Sequence, residues 1–254
     1  MLFYWFLKLV ALGPVVKLVF RPHVEGVEHV PPRGAAILAS NHLSAADWVF
    51  MPLSVRRRVT FLAKAEYFTG SGLKGFLQRA FFTGAGQVPI DRTSASAAED
   101  AIQTGLRLLR QGRLLGIYPE GTRSPDGRLF RGKTGVARMT LETGVPVVPV
   151  AMVYRPRRLP LVGWNLPAVT VRFGEALDFS RYEGLAGDRF VERSITDEIM
   201  YEIMTLSGQE YVDVYGARVK KSMDATGASA SDVVSRLQPP ADEAADRAPE
   251  SLAG

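Results

Sequence analysis

What most constrains this chain is the way short apolar runs alternate with longer stretches of helical period. Residues 35–39, 59–63, 87–90, 114–118, 145–153 and 169–173 are short and rich in Val, Ile and Leu. Each is bounded by turn residues, the pattern of buried strands. Between them, residues 44–55, 72–82, 94–110 and 132–143 bring apolar side chains round every three or four positions, and 188–206 reads as a further amphipathic helix. This alternation predicts an α/β fold: one domain on a mixed, largely parallel sheet flanked by helices, with any site at strand ends that run into loops and helix N-termini. At 254 residues and 46% apolar, the chain can bury one substantial core.

The two ends depart from that pattern. Leu2 to Phe20 is mostly apolar but is interrupted by Lys8, Lys17 and Gly13-Pro14. A proline inside the run and two lysines predict two short helices lying in a membrane interface, an anchor over residues 1–22 with Phe3, Tyr4, Trp5 and Phe6 at headgroup level. A buried N-terminal helical hairpin fits the same interrupted pattern. No basic region precedes the run and no small-residue cleavage site follows it, which disfavours a secretory signal. Residues 222–254 are rich in Ala, Ser, Asp and Pro and hold no aromatic residue; they predict a disordered tail. The chemistry is thereby assigned to residues 23–221.

Composition excludes several classes. With no cysteine there is no thiol nucleophile, disulfide or Cys-ligated zinc, and the three histidines, His23, His29 and His42, make no close pair, so no metal is expected. His23 and His29 receive no role. No GxSxG elbow supports a serine hydrolase. From Asp224 onward six acids face two bases, leaving 29 bases against 20 acids, a net +9, in the first 223 residues. Such a field suits anionic lipid or phosphate-bearing substrates; no nucleic-acid recognition module accompanies it, and no nucleic-acid partner is expected.

The first chemical motif is Asn41-His42-Leu43-Ser44-Ala45-Ala46-Asp47, following the first core strand. On one continuous helix a spacing of five sets side chains about 140° apart, so His42 and Asp47 would not meet. With Ser44 as N-cap, Asp47 falls in the first turn and can turn back to the imidazole. A carboxylate on one ring nitrogen fixes the tautomer and stabilises the imidazolium, leaving the other nitrogen as a general base for a substrate hydroxyl. Ser44-x-x-Asp47 is equally an ordinary capping box, and these residues alone leave both readings open.

The second group is anion-binding. In Tyr118-Pro119-Glu120-Gly121-Thr122-Arg123, a strand gives way to a turn carrying glycine, hydroxyl and guanidinium, the parts of a phosphate site. Glu120 would orient Arg123 or a substrate hydroxyl. Arg92, just past the strand at 87–90, is a second candidate phosphate ligand. Lys133, at a helix start, and Lys64, at a strand end, are weaker candidates. Arg56-Arg57-Arg58 and the arginines at 155, 157 and 158 read as facing headgroups or solvent. A solvated turn and surface ion pairs explain the same residue types.

Taken in order, Asn41-His42-x-Ser44-x-x-Asp47, residues 86–92, Glu120-Gly121-Thr122-Arg123 and residues 145–150 resemble the four motifs of the 1-acylglycerol-3-phosphate (lysophosphatidic acid) acyltransferase family, with Pro89 where similar enzymes often carry an aromatic. The resemblance covers roughly residues 24–180. It implies an acyltransferase domain in which His42 and Asp47 are catalytic and Arg92, Glu120, Gly121, Thr122 and Arg123 bind the acceptor, while the Val-Pro-Val-Val-Pro-Val strand shapes the acyl pocket. It further implies no bound cofactor, an acyl-CoA or acyl carrier protein thioester as co-substrate, and acylation of the sn-2 hydroxyl of a lysophosphatidic-acid-like acceptor to phosphatidic acid. Membrane lipids are expected partners, with the protein associated with the cytoplasmic face of the cell membrane. Another lysophospholipid or glycolipid acceptor, or a non-catalytic membrane-remodelling module, are the competing readings.

Overall fold

The run Ala36–Ser40 forms a strand, β2, whose residues are all buried and whose side chains alternate between two apolar layers. Ala36 and Leu38 enter one layer, Ile37 and Ala39 the other. A strand covered on both faces belongs at the centre of a sheet. In the computed structural model, which describes residues 2–90, 96–158 and 165–238, it is the middle strand of seven. The others are β1 (His23–Glu25), β3 (Val59–Lys64), β4 (Gln87–Ile90), β5 (Leu114–Ile117), β7 (Val147–Arg158) and β8 (Asn165–Phe173), in the order β1-β8-β7-β2-β5-β3-β4. All neighbours run parallel except β7 and β8, which are antiparallel. A separate parallel pair joins β6 (Leu129–Phe130) to β9 (Tyr211–Val212). This is the mixed, largely parallel sheet that the alternation predicts.

Helices cover both faces. The N-terminal segment and α3 (Asp47–Ser54) pack on the layer of Ala36 and Leu38; α5 (Ala97–Arg110), α6 (Gly135–Thr143) and α7 (Arg189–Ser207) pack on the other. The strand holding the fourth motif is core on both faces, with Val147, Val148 and Val150 fully buried. Pro89 sits in β4 opposite Ala63, and β4 is an edge strand, where a missing N–H breaks no ladder on its outer side.

Three expectations are corrected. The N-terminal run does not break at Gly13-Pro14: α1 (Leu2–Phe6), a π turn (Leu7–Ala11) and α2 (Leu12–Phe20) form one 19-residue helix. The wide π turn absorbs what a proline does to a helix, and only glycine fits beside it, because a Cβ on Gly13 would meet the Lys8 carbonyl oxygen at 1.8 Å. Lys8 is turned into the domain, its ammonium donating to the Val55 carbonyl at the C-terminus of α3, where a cation is favoured.

The second correction concerns the predicted tail. Residues 216–226 and 230–237 form α8 (Gly216–Thr226) and α9 (Ala230–Leu237), which bury Val219, Ala230, Val233 and Val234 with Phe130, Val212 and Val214 in a third, smaller core. A stripe this short is invisible in composition. Residues 239–254 lie outside the described ones. Third, Arg57 faces neither headgroups nor solvent alone: it donates to the carbonyls of Pro31 (2.7 Å), Gly34 (2.5 Å) and Gly112 (3.2 Å), tying together three loops.

Candidate active site

The site forms where the neighbouring parallel strands β2 and β5 end, the crevice position expected of such sheets. Past Ser40, the buried Asn41 fixes the chain's exit: its amide donates to the Met152 carbonyl (3.0 Å), and its oxygen accepts from the Met152 N–H (2.7 Å) on β7. His42 follows.

Its Nδ1 lies 2.8 Å from Asp47 Oδ2. Asp47 is fully buried and, as a carboxylate, only accepts, so Nδ1 carries the proton and Nε2 is the basic nitrogen. The same Oδ2 accepts the N–H groups of Leu43 (2.8 Å) and Ser44 (2.9 Å), and Oδ1 accepts the Tyr154 hydroxyl from β7. Four donors on one carboxylate offset the cost of burying its charge. Meanwhile Ser44 Oγ accepts the Ala46 N–H (3.1 Å). Ser44 is not the helix N-cap: Ala46 holds that position with no side-chain cap, and the Asp47 carboxylate binds the Ser44 N–H and the imidazole together. Regular helix begins at Asp47, three residues later than the sequence pattern predicts, because residues 44–46 are spent on this turn.

The imidazole lies flat on the Tyr118 ring, with centroids 3.9 Å apart and planes 13° from parallel, and Phe61 stacks on the far side of that tyrosine. Burial, then the negative charge of Asp47, pushes the Tyr118 phenol well above its ordinary value; burial and Asp47 do the same to Tyr154. Both stay neutral beside the carboxylate.

Beyond Tyr118 the chain turns back, with the Gly121 N–H donating to the Tyr118 carbonyl (2.9 Å) and Gly121 at φ +70°. Glu120 points inward. It is buried, and its two oxygens accept the backbone N–H groups of His42 (3.0 Å) and Phe130 (3.0 Å). Burial raises its carboxyl to about 7, against the opposing effect of those two donors. Glu120, one of the expected acceptor residues, thereby clasps the His42 loop to the turn of Arg123. The Ser124 N–H donating to the His42 carbonyl (2.7 Å) closes the same clasp.

Thr122 and Arg123 are left at the mouth of a cleft lined by Leu43, Arg123, Ser124, Pro125, Lys220, Met223 and Asp224. Arg123 is exposed and forms no ion pair or hydrogen bond among the described residues. Lys133 is stapled to the turn by its N–H on the Pro119 carbonyl (2.8 Å), and its side chain crosses Gly121, where a Cβ would stand 2.9 Å from the lysine Cε. Lys64 ends β3 beside Ile90. Arg92 lies outside the described residues. The sequence reading thus brings His42, Asp47, Glu120, Gly121, Thr122, Arg123 and Lys133 together. It misses Tyr118, Tyr154 and Lys220; the first lies inside a motif that was read for its turn, while the other two come from the middle of β7 and from α8, with no local signal.

A half-buried histidine held by a buried aspartate at strand ends, next to a cleft lined by Arg123 and Lys220, is an arrangement able to supply a general base beside cations. Residues 21–153, just over half of the chain, match the family model described as Acyltransferase, and the chain belongs to that family. Among curated proteins it is 32% identical over 135 residues to human 1-acyl-sn-glycerol-3-phosphate acyltransferase alpha (52% of this chain, 45% of that one). It is 30% identical over 142 residues to a chloroplastic 1-acyl-sn-glycerol-3-phosphate acyltransferase of Arabidopsis thaliana (56% and 38%), and 30% over 129 residues to that of Borreliella burgdorferi (51% and 50%). The chain spans half or less of the length of these three relatives. The crystal structure of a 1-acyl-sn-glycerophosphate acyltransferase, PlsC, from Thermotoga maritima shares the fold: TM-score 0.54 and 23% identity over 76% of each chain.

Proposed function

We propose that the chain transfers a fatty acyl group from a thioester, on coenzyme A or acyl carrier protein, to the free sn-2 hydroxyl of 1-acylglycerol-3-phosphate, giving phosphatidic acid. The observation that carries this reading is the His42–Asp47 pair on a loop whose next residue, Leu43, lines a cleft together with Arg123 and Lys220. A base without a protein nucleophile calls for a substrate that supplies its own hydroxyl. An unpaired guanidinium close by calls for an anionic group on that substrate.

His42 Nε2 accepts the hydroxyl proton as the oxygen attacks the thioester carbonyl. The tetrahedral intermediate collapses by C–S cleavage, and the imidazolium returns its proton to the departing thiolate. Asp47 stabilises the imidazolium between these steps, and general-base assistance of this kind contributes about 10² to 10⁴ in rate.

The reading includes attachment to a membrane surface, from which the acceptor would be drawn. Leu2, Phe3, Phe6, Leu9, Val10, Val15, Leu18 and Val19 are exposed on the N-terminal helix, and Tyr67, Leu73, Phe76 and Leu77 on or just before α4 (Gly72–Gly84) add to them. The two elements touch, since the Phe3 ring lies where a Cβ of Gly84 would stand. A patch of this extent on a folded surface marks contact with lipid or another apolar partner.

Mass spectrometry of products from purified protein tests the assignment, using 1-acylglycerol-3-phosphate, a lysophosphodiester and a glycolipid as acceptors with acyl-CoA or acyl carrier protein. Diacylated phosphate ester as the dominant product is expected. Preferential acylation of either other acceptor would overturn the acceptor assignment, and no thioester-dependent product from any would overturn the enzyme reading.

A further inference from the structure

The cleft beside His42 has one wall that lies outside the matched family region. Lys220, on α8, donates from Nζ to Thr122 Oγ1 at 3.1 Å and lines the cleft together with Arg123. α8 is held there by packing: Gly216 lies close against Thr122 and Phe130, where a Cβ would stand 3.3 Å from Thr122 Cγ2, and Val219 is buried in the small core shared with α9. Neither Lys220 nor Arg123 forms an ion pair among the described residues, although Asp224 and Glu120 are near enough to act on Lys220 through space. Two cations held together at the mouth of one cleft, without a carboxylate bonded to either, form a site for a doubly charged anion. The Thr122 bond occupies one of three ammonium N–H donors and aims the other two elsewhere.

We propose that Lys220 is the second cation for the phosphate of the acceptor, so that α8, braced by α9, closes the cleft and selects a phosphomonoester over a neutral or diester headgroup. This rests on the acceptor reading above. A phosphomonoester carries a charge of about −1.5 to −2 at neutral pH, which Arg123 alone only half neutralises. A phosphodiester carries one charge, and a glycerol headgroup none. A coenzyme A thioester also bears a phosphomonoester, so the test separates the two sources.

Steady-state kinetics of the full chain are compared for wild type, Lys220→Gln and Lys220→Arg, varying 1-acylglycerol-3-phosphate, a monoacylglycerol and the acyl thioester in turn. A charge-assisted hydrogen bond lost without loss of the base corresponds to about a 10- to 100-fold rise in KM for the phosphorylated acceptor, with kcat held within about 3-fold. Lys220→Arg restores most of that affinity, and the rise in KM in Lys220→Gln is much larger for the phosphorylated acceptor than for monoacylglycerol or the thioester. An unchanged acceptor KM in Lys220→Gln, a shift in the thioester KM instead, or a Lys220→Arg variant as impaired as Lys220→Gln would each overturn the proposal while the acceptor reading stands. A wild-type protein that does not acylate 1-acylglycerol-3-phosphate overturns the acceptor reading, and this inference with it.

Discussion

Asp47 and Glu120 are both buried carboxyls, yet their surroundings differ. Asp47 has four donors around it, one the imidazole, and no apolar cost goes unanswered. Glu120 has two backbone donors, and desolvation outweighs them, raising its carboxyl to about 7 from an ordinary value of 4.5. Because the folded value lies above the unfolded one, folding favours the protonated form. Glu120's contribution to stability is full below about 4.5 and is lost as pH rises through about 7, by ~3 kcal/mol at most. Melting temperatures of wild type and Glu120→Gln across pH 4.5 to 8.5 check this: the wild type should lose stability relative to the variant over that window. The variant should also be about 10-fold or more slower at every pH, because its amide N–H₂ faces a backbone N–H and slackens the clasp on His42. A wild type and variant with parallel pH profiles would remove Glu120's titration from the account.

At the scale of the element, the N-terminal helix is where charge in the sequence was hardest to read. Lys8 looks like an interruption of an apolar run, but it is the face turned inward: Lys8, the buried Tyr4 and Val16 dock the helix on the domain, while Leu2, Leu9 and Leu18 stay outside. Helical period was legible there; which face met the protein was not, since that depends on the C-terminus of α3. The π turn is likewise a response to Pro14 that no local propensity predicts. Leu9→Glu with Leu18→Glu, at positions 61% and 72% exposed, should leave the melting temperature within about 2 °C. The same pair should weaken sedimentation with anionic phospholipid vesicles by at least about 10-fold, since burying each leucine is worth ~2 kcal/mol. Undiminished vesicle binding would move the membrane contact to another surface.

Across the whole molecule, the site is assembled from strands, turns and a helix far apart in sequence. β2 supplies His42, β5 leads to Tyr118 and Glu120, β7 brings Tyr154 onto Asp47, and the C-terminal helices bring Lys220 onto Thr122. The α/β class and the His42–Asp47 pair were legible because each rests on local pattern: buried runs of strand length, and a six-residue motif closed by one turn. Tyr154 and Lys220 were not, because they meet the motif through sheet order and a seven-residue core. Glu120's bond to the His42 N–H was not legible either, because the turn and the loop meet only through the pairing of β2 with β5. What all these parts support is one proton transfer. The direct measurement is product formation by His42→Ala under single-turnover conditions with thioester and 1-acylglycerol-3-phosphate. The account predicts a rate at least about 10²-fold below wild type, with an unchanged circular dichroism spectrum and melting temperature within a few degrees. A folded His42→Ala variant that forms product at the wild-type rate would contradict it.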